Sequence, residues 1–319
     1  MIVVCGEALI DLFVDRSPDG ALRTQAVAGG SPFNLAIGLA RLGRPVSFLS
    51  SLSDDAFGAY LAERLEEAGV DLSAARRVPA RTTLSVVATA PDGQPHYAFY
   101  DDGAADRALA PEHLPPTLPD GVSGIAAGSY ALAVEPIASA IEALLEREAG
   151  RRAVSLDANV RPRVIGDLSS FRLRFERQVG FATIVKASTE DLDWLYGASV
   201  DPAAVAADWL SRGPSLVVVT RGAEGSTAYT RDGAVDEPAR PVTVVDTVGA
   251  GDAFHAGFLA QLDAAGLLRP DGLSRLDRGA VTRALRAATA ASALACSRRG
   301  ADMPDRAAVE ALLGHPLSG

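Results

Sequence analysis

The sequence predicts an α/β domain built on a mostly parallel sheet, with a small β flap inserted beside it. Three observations carry this. Apolar runs of strand length alternate with helical patterns through most of the chain, as βαβ units require. The alternation is broken once, between Arg81 and Tyr100, where two strand-like runs follow each other with no helix between. One glycine-rich turn, residues 246–252, joins a β-branched run to a long helical pattern. With 319 residues, 48% hydrophobic and 22% charged, a sizeable core is expected, and residues 1–319 are read as one large unit with an insertion.

In order, residues 2–5 form a short continuous apolar run of the kind a central parallel strand needs. Residues 6–11 carry the chain out to Asp11, near the carboxyl edge of the sheet where open α/β folds bind ligands. Residues 16–28 are polar and turn-rich and read as a small excursion. Gly29-Gly30-Ser31-Pro32-Phe33-Asn34 then opens a helix running to Leu42 and closed by Gly43, with Ser31 as its cap. The glycine pair allows close backbone approach to a ligand, and Asn34 offers both donor and acceptor.

A strand over 45–51, a turn at 54–58 and a helix over 59–68 complete another unit. Residues 81–90 and 96–100 form the hairpin of the flap, turning at Pro91-Asp92-Gly93. Strands at 125–128, 153–156, 181–185 and 216–219 follow, with helices at 135–149, 253–266 and 283–295. Asp157, Asn159 and Arg161 stand at alternate positions after one strand, on one side of an extended chain. The only other asparagine is Asn34, and Lys186 is the only lysine.

The turn Asp246-Thr247-Val248-Gly249-Ala250-Gly251-Asp252 is expected to follow a strand over 242–245. At a helix start, successive N–H groups left bare by two glycines can hold an anion. Asp252 would sit at the lip of that cradle as a base for an attacking hydroxyl. The same composition also suits a plain βα turn with an Asp N-cap.

Other classes find no support. There is no Gly-x-x-x-x-Gly-Lys-[Ser/Thr], no Gly-x-Gly-x-x-Gly after the first strand, no Gly-x-Ser-x-Gly and no His-Glu-x-x-His. Cys5 and Cys296 read as buried thiols. The net charge of −10 speaks against nucleic acid or an anionic membrane as partner. The first residues lack a basic n-region and read as a strand, so a cytoplasmic protein is expected.

Gly29-Gly30 with Asn34, then Asp246-Thr247-x-Gly249-Ala250-Gly251-Asp252, resemble the two signature regions of the ribokinase (PfkB) family of carbohydrate kinases, in family order and separation. The resemblance implies a three-layer α/β/α domain with a β-sheet lid from residues 12–28 and 80–105. It implies transfer of the ATP γ-phosphate to a sugar hydroxymethyl group with Mg²⁺. On that footing Asp252 is the general base and Gly249, Ala250 and Gly251 form the anion hole. Asp11, Gly29, Gly30, Asn34 and Asn159 hold sugar hydroxyls, with Arg161 and Phe99 beside them, while Phe33 and Tyr97 could add apolar cover. Lys186, Ser188, Thr220, Gly222 and Gly225 follow the nucleotide path.

The family usually has Asn at Ser188 and Glu at Asp191, which leaves Glu190 and Asp191 as alternatives for the acid near the Mg²⁺ waters. Asp246 would be the side-chain ligand of a monovalent cation such as K⁺. The segments 157–161 and 99–106 resemble the fructokinase branch, implying fructose and fructose 6-phosphate. A 2-keto-3-deoxygluconate kinase is the runner-up, followed by a ribokinase or nucleoside kinase. A non-catalytic sugar or nucleotide sensor is the alternative of another class. A flap with an exposed inner face and free edges favours a homodimer through paired lids.

Overall fold

Ile2, Val3, Val4 and Cys5 are all buried, and they alternate between two separate hydrophobic clusters. A strand whose successive side chains enter opposite clusters is the middle layer of three. The computed structural model describes residues 1–17, 19–89 and 95–317, with backbone alone at 89 and 95–97. Its strands are β1 (Ile2–Cys5), β2 (Leu9–Arg16), β3 (Leu22–Gly29), β4 (Val46–Leu49), β5 (Ser51–Ser53), β6 (Arg76–Val78), β7 (Leu84–Thr89) and β8 (Pro95–Tyr100). They continue as β9 (Gly124–Gly128), β10 (Ala153–Asp157), β11 (Ile184–Ser188), β12 (Leu216–Thr220), β13 (Ser226–Thr230) and β14 (Gly233–Glu237).

The main sheet has the order β14-β13-β12-β11-β10-β9-β1-β4, parallel from β4 to β12 and antiparallel at β13 and β14. Helices Ser31–Arg41, Ala56–Glu67, Ala250–Ala264 and Arg278–Cys296 cover one face through Phe33, Leu61, Phe258 and Leu285. Helices Ile137–Glu148, Leu168–Val179 and Pro202–Arg212 cover the other through Ile141, Phe175 and Trp209. The fold is the three-layer α/β/α arrangement expected.

A second sheet, β3-β2-β7-β8, stands beside the first. Residues 16–28, expected as a turn-rich excursion, instead complete β2 and form β3, paired antiparallel from Leu9 opposite Gly29 to Arg16 opposite Leu22. Polar residues are compatible with strands where a sheet face is solvated. β7 lies parallel to β2 and antiparallel to β8, so the expected hairpin is present. Its turn, Pro91-Asp92-Gly93, and the Tyr97 side chain lie outside the described residues.

Two local expectations need correction. Residues 242–245 are not a strand. Val244 and Val245 are each 60% exposed, and the Val245 N–H donates to the Cys296 carbonyl at a helix C-terminus. β propensity is expressed only where a neighbouring strand and a buried face exist, and here the chain crosses open ground. Ser31 is not the cap of its helix: Gly30 occupies that position, and no side chain caps it.

Candidate active site

Two helix N-termini meet at Asp252. It is the third residue of the helix Ala250–Ala264, which begins after Gly249 in the left-handed region, φ 75°. Ser31 and Asn34, in the first turn of the helix Ser31–Arg41, point at it. The Ser31 hydroxyl donates to Oδ1 at 2.6 Å and the Asn34 amide to Oδ2 at 2.9 Å. Gly30 permits this approach: its φ is 105°, and a Cβ would stand 2.8 Å from the Glu7 carbonyl. Asp252 is 8% exposed. Burial pushes its pKa up to about 6, against the Ser31 and Asn34 hydrogen bonds; Asp157 adds to the rise and Lys186 opposes it.

The turn before it is fixed at both ends. The Asp246 carboxylate accepts the Val248 N–H at 3.0 Å and the Gly300 N–H at 2.8 Å. The Ala250 N–H, expected in the cradle, donates to the Thr247 carbonyl at 3.2 Å. Gly251 and Asp252 supply the first-turn N–H groups that no carbonyl of their own helix can reach.

Beneath this turn lies a buried polar cluster. Lys186 Nζ donates to Asp157 Oδ2 at 2.6 Å, and a Cβ on Gly251 would stand 3.7 Å from that ammonium. His255 Nδ1 is 3.8 Å from the same carboxylate oxygen, and its Nε2 shares a 2.7 Å hydrogen bond with Ser155 Oγ. Burial, followed by the Lys186 charge, drives the His255 pKa well below the usual range, so the imidazole is neutral.

A cleft of about 600 Å³ opens above Asp252. One face of the second sheet forms its side: Asp11 and Phe13 of β2, Ser85 and Val87 of β7, and Phe99 of β8 all line it. Register explains the grouping, since Asp11 pairs with Ser85, Ser85 with Phe99 and Phe13 with Val87. Asn159, at φ 34°, and Arg161 also line the cleft. Burial raises the Asp11 pKa, while Ser85 and the Arg161 charge oppose it. Gly29 lies under Asp11, its Cα facing Oδ2 closely enough that a Cβ would stand 2.4 Å away. Phe33, at 1% exposure, is core and not cover.

A second cleft of about 510 Å³ contains Thr220, Gly222 and Gly225 with Val242, Val244 and Phe254, and shares Thr247 and Gly251 with the first. The two therefore meet at the glycine turn. Cys296, expected as a buried thiol, is half-buried and lines this second cleft.

Near β11, Glu190 is exposed and lines the first cleft. Asp191 is occupied: it accepts the Val160 N–H at 2.7 Å and closes a reciprocal capping box with Ser188. Ser188 and Lys186 line neither cleft. Sequence reading missed Ser31 as a partner of Asp252, and it missed Glu7, a buried acid on the first cleft. The only signal for Glu7 is an acid two residues after a fully apolar strand.

Paired clefts meeting at a helix N-terminus, on a three-layer α/β/α fold, define a small-molecule kinase. The model of pfkB family carbohydrate kinases matches residues 1–307. A fructokinase of Rhizobium leguminosarum bv. trifolii is 44% identical over 281 residues, covering 88% of this chain and 85% of that protein. The crystal structure of a fructokinase with bound ATP from Xylella fastidiosa superposes with TM-score 0.86 at 32% identity over 98% of both chains. A fructokinase double mutant from Vibrio cholerae O395, in fructose, ADP and potassium ion bound form, has TM-score 0.83 at 28% identity over 98% of this chain and 97% of that one. The chain belongs to the pfkB family of carbohydrate kinases.

Proposed function

We propose that the chain transfers the γ-phosphate of ATP to the 6-hydroxyl of fructose. The observation that carries this is Asp252, a buried carboxylate held by Ser31 and Asn34 where the two clefts join. Fructose occupies the first cleft, its hydroxyls read by Asp11, Gly30, Asn34, Asn159 and Arg161, with Phe99 as apolar wall. Gly29 acts by supporting Asp11. ATP occupies the second cleft along Thr220, Gly222 and Gly225. Its γ-phosphate reaches the turn, where the Gly251 and Asp252 N–H groups face the growing charge, Gly249 and Ala250 set the curve, and Lys186 adds a cation from below. Asp252 takes the proton of the attacking hydroxyl.

Among the described residues no three acidic, His or Cys side chains form a metal cluster. That suits Mg²⁺, which keeps most of its waters and bridges phosphates with one or two carboxylates. Glu190 is the available carboxylate, since Asp191 is spent on its capping box and Val160. Bound there, Mg²⁺ would neutralise phosphate charge. A K⁺ would take Asp246 as its side-chain ligand. The second sheet acts as a lid over the sugar, keeping water from the acceptor place, and pairs with a second copy in a homodimer. No helix among the described residues is long and apolar enough to cross a membrane.

A neutral sugar is better supported than a sugar acid, because the relatives that the chain matches over most of its length are fructokinases. Arg161 and Arg163 both line the first cleft, so the substrate panel decides between the two. Coupled ADP release with a panel of fructose, 2-keto-3-deoxygluconate, ribose and nucleosides, with Mg²⁺ and with or without K⁺, tests the reading. Fructose should give the highest kcat/KM. ATP binding without turnover of any of them would favour a sensor.

Asn34→Ala should lower kcat and raise the fructose KM, together costing kcat/KM about 10–100-fold, the size of a hydrogen bond to a charged group. The KM for ATP should stay within about twofold. Steady-state kinetics with each substrate varied in turn checks this, and an equal loss for both would remove Asn34 from the sugar side.

A further inference from the structure

Glu7 stands two residues past the end of β1, is 1% exposed, and lines the cleft assigned to the sugar. Its Oε2 is buried and has no hydrogen-bond partner. A buried carboxyl oxygen left bare is costly unless a ligand or water completes it. Nothing in the proton transfer or the phosphate cradle uses this group.

We propose that Glu7 is a further sugar-binding residue, its carboxyl completing a hydrogen bond with a hydroxyl of bound fructose and so setting affinity for the sugar. The inference rests on the fructokinase reading above. The surroundings say which form of the acid does this. Burial pushes the Glu7 pKa up to about 8, with Asp106 adding to the rise; its own backbone N–H, the Ser129 hydroxyl and the Arg161 charge only partly offset it. Of the other ionisable neighbours, Asp106 is buried and bonded to Thr83 and Tyr130, and burial, followed by the Asp106 carboxyl, holds the Tyr130 pKa well above the usual range. At neutral pH Glu7 is therefore a carboxylic acid, a donor as well as an acceptor. Asp11 on the facing sheet, more exposed and bonded by Ser85, supplies acceptors. With Glu7 as donor and Asp11 oxygens as acceptors, the cleft offers a hydroxyl-rich ligand both kinds of partner.

The test uses two variants. Glu7→Leu removes the group and should raise the fructose KM about tenfold or more, as an unmet buried hydrogen bond predicts, with the ATP KM unchanged. Glu7→Gln keeps shape and donor and should recover most of that loss. Native enzyme should lose fructose affinity as pH rises past about 8, where the acid ionises and its donor is gone. Glu7→Gln should show no such limb. Thermal melts and direct fructose titration accompany the kinetics, so a folding defect in the Leu variant is seen as one and the Gln pH profile still decides. A fructose KM unmoved in both variants, or an alkaline limb surviving in Glu7→Gln, would overturn the assignment while leaving the kinase reading intact. Failure of native enzyme to phosphorylate fructose would remove that reading instead.

Discussion

Replacing Asp252 by Asn lowers fructose-dependent ADP release about 10²–10⁴-fold, the usual scale of a lost general base, and leaves ATP binding nearly unchanged. Asn fits the same space and can still accept the Ser31 hydroxyl, but it cannot take a proton. The native enzyme should show an acid limb in kcat/KM with its midpoint at about 6. Below that pH the carboxyl is protonated and the rate falls about tenfold per pH unit. The residual rate of the variant should be flat through the same window. Retention of most of the activity would strip Asp252 of its role.

Stability gives the same variant a second readout. The pKa of Asp252 is raised on folding, from 3.8 to about 6. The native state thus holds the proton more tightly than the unfolded chain. Its relative stability is complete below about pH 4 and is lost as pH rises through 6, at a cost of up to roughly 3 kcal/mol above that. Asn carries no such penalty. At pH 7.5 the Asp252→Asn enzyme should melt no lower than the native one, and a thermal melt at pH 5 and 7.5 measures the difference. A residue whose loss stabilises the fold and abolishes turnover is retained for chemistry.

What could be read from the sequence follows the range of the forces involved. β1, β9 and β10 are runs whose every residue is buried, and burial on both faces leaves a continuous apolar signature in β1 and a nearly continuous one in β10, which Ser155 interrupts. The glycine turn was legible because seven adjacent residues contain it. Ser31 was not: its composition suits a cap, and only the arrival of Asp252, more than two hundred residues later in the chain, gives its hydroxyl another partner. The valines at 242–245 look like a strand because propensity is local, whereas the absence of a neighbouring strand is not. The parallel pairing of β2 with β7 leaves no periodic trace, and the family resemblance implied only that segments 12–28 and 80–105 build one sheet. Glu7 stayed hidden for a related reason. A single acid beside an apolar strand is ordinary until a cleft forms over it.

Gly251 and Gly249 separate the two uses of glycine in the turn. Gly251 is inside the helix, and a Cβ there would meet only Lys186 Nζ, at 3.7 Å, an ordinary contact. Ala should therefore fold as well as Gly or up to about 1 kcal/mol better, from helix propensity. Its methyl, however, would stand where the two clefts join, displacing the phosphoryl group from the N–H donors. We expect kcat to fall about 10²–10³-fold, the cost of a lost oxyanion contact, with the melting temperature unchanged or higher. Gly249 has φ 75°, and a Cβ would lie 2.8 Å from both Ala301 Cβ and Met303 Cε. Gly249→Ala should lose about 2–4 kcal/mol from left-handed strain and overpacking, with a lower melting temperature. Gly251→Ala should thus be slow and stable, Gly249→Ala unstable, and a melt beside the kinetics tells them apart. If Gly251→Ala were stable and turned over at the native rate, the phosphoryl group would not pass through this turn, and the bare N–H groups would be a helix end and nothing more.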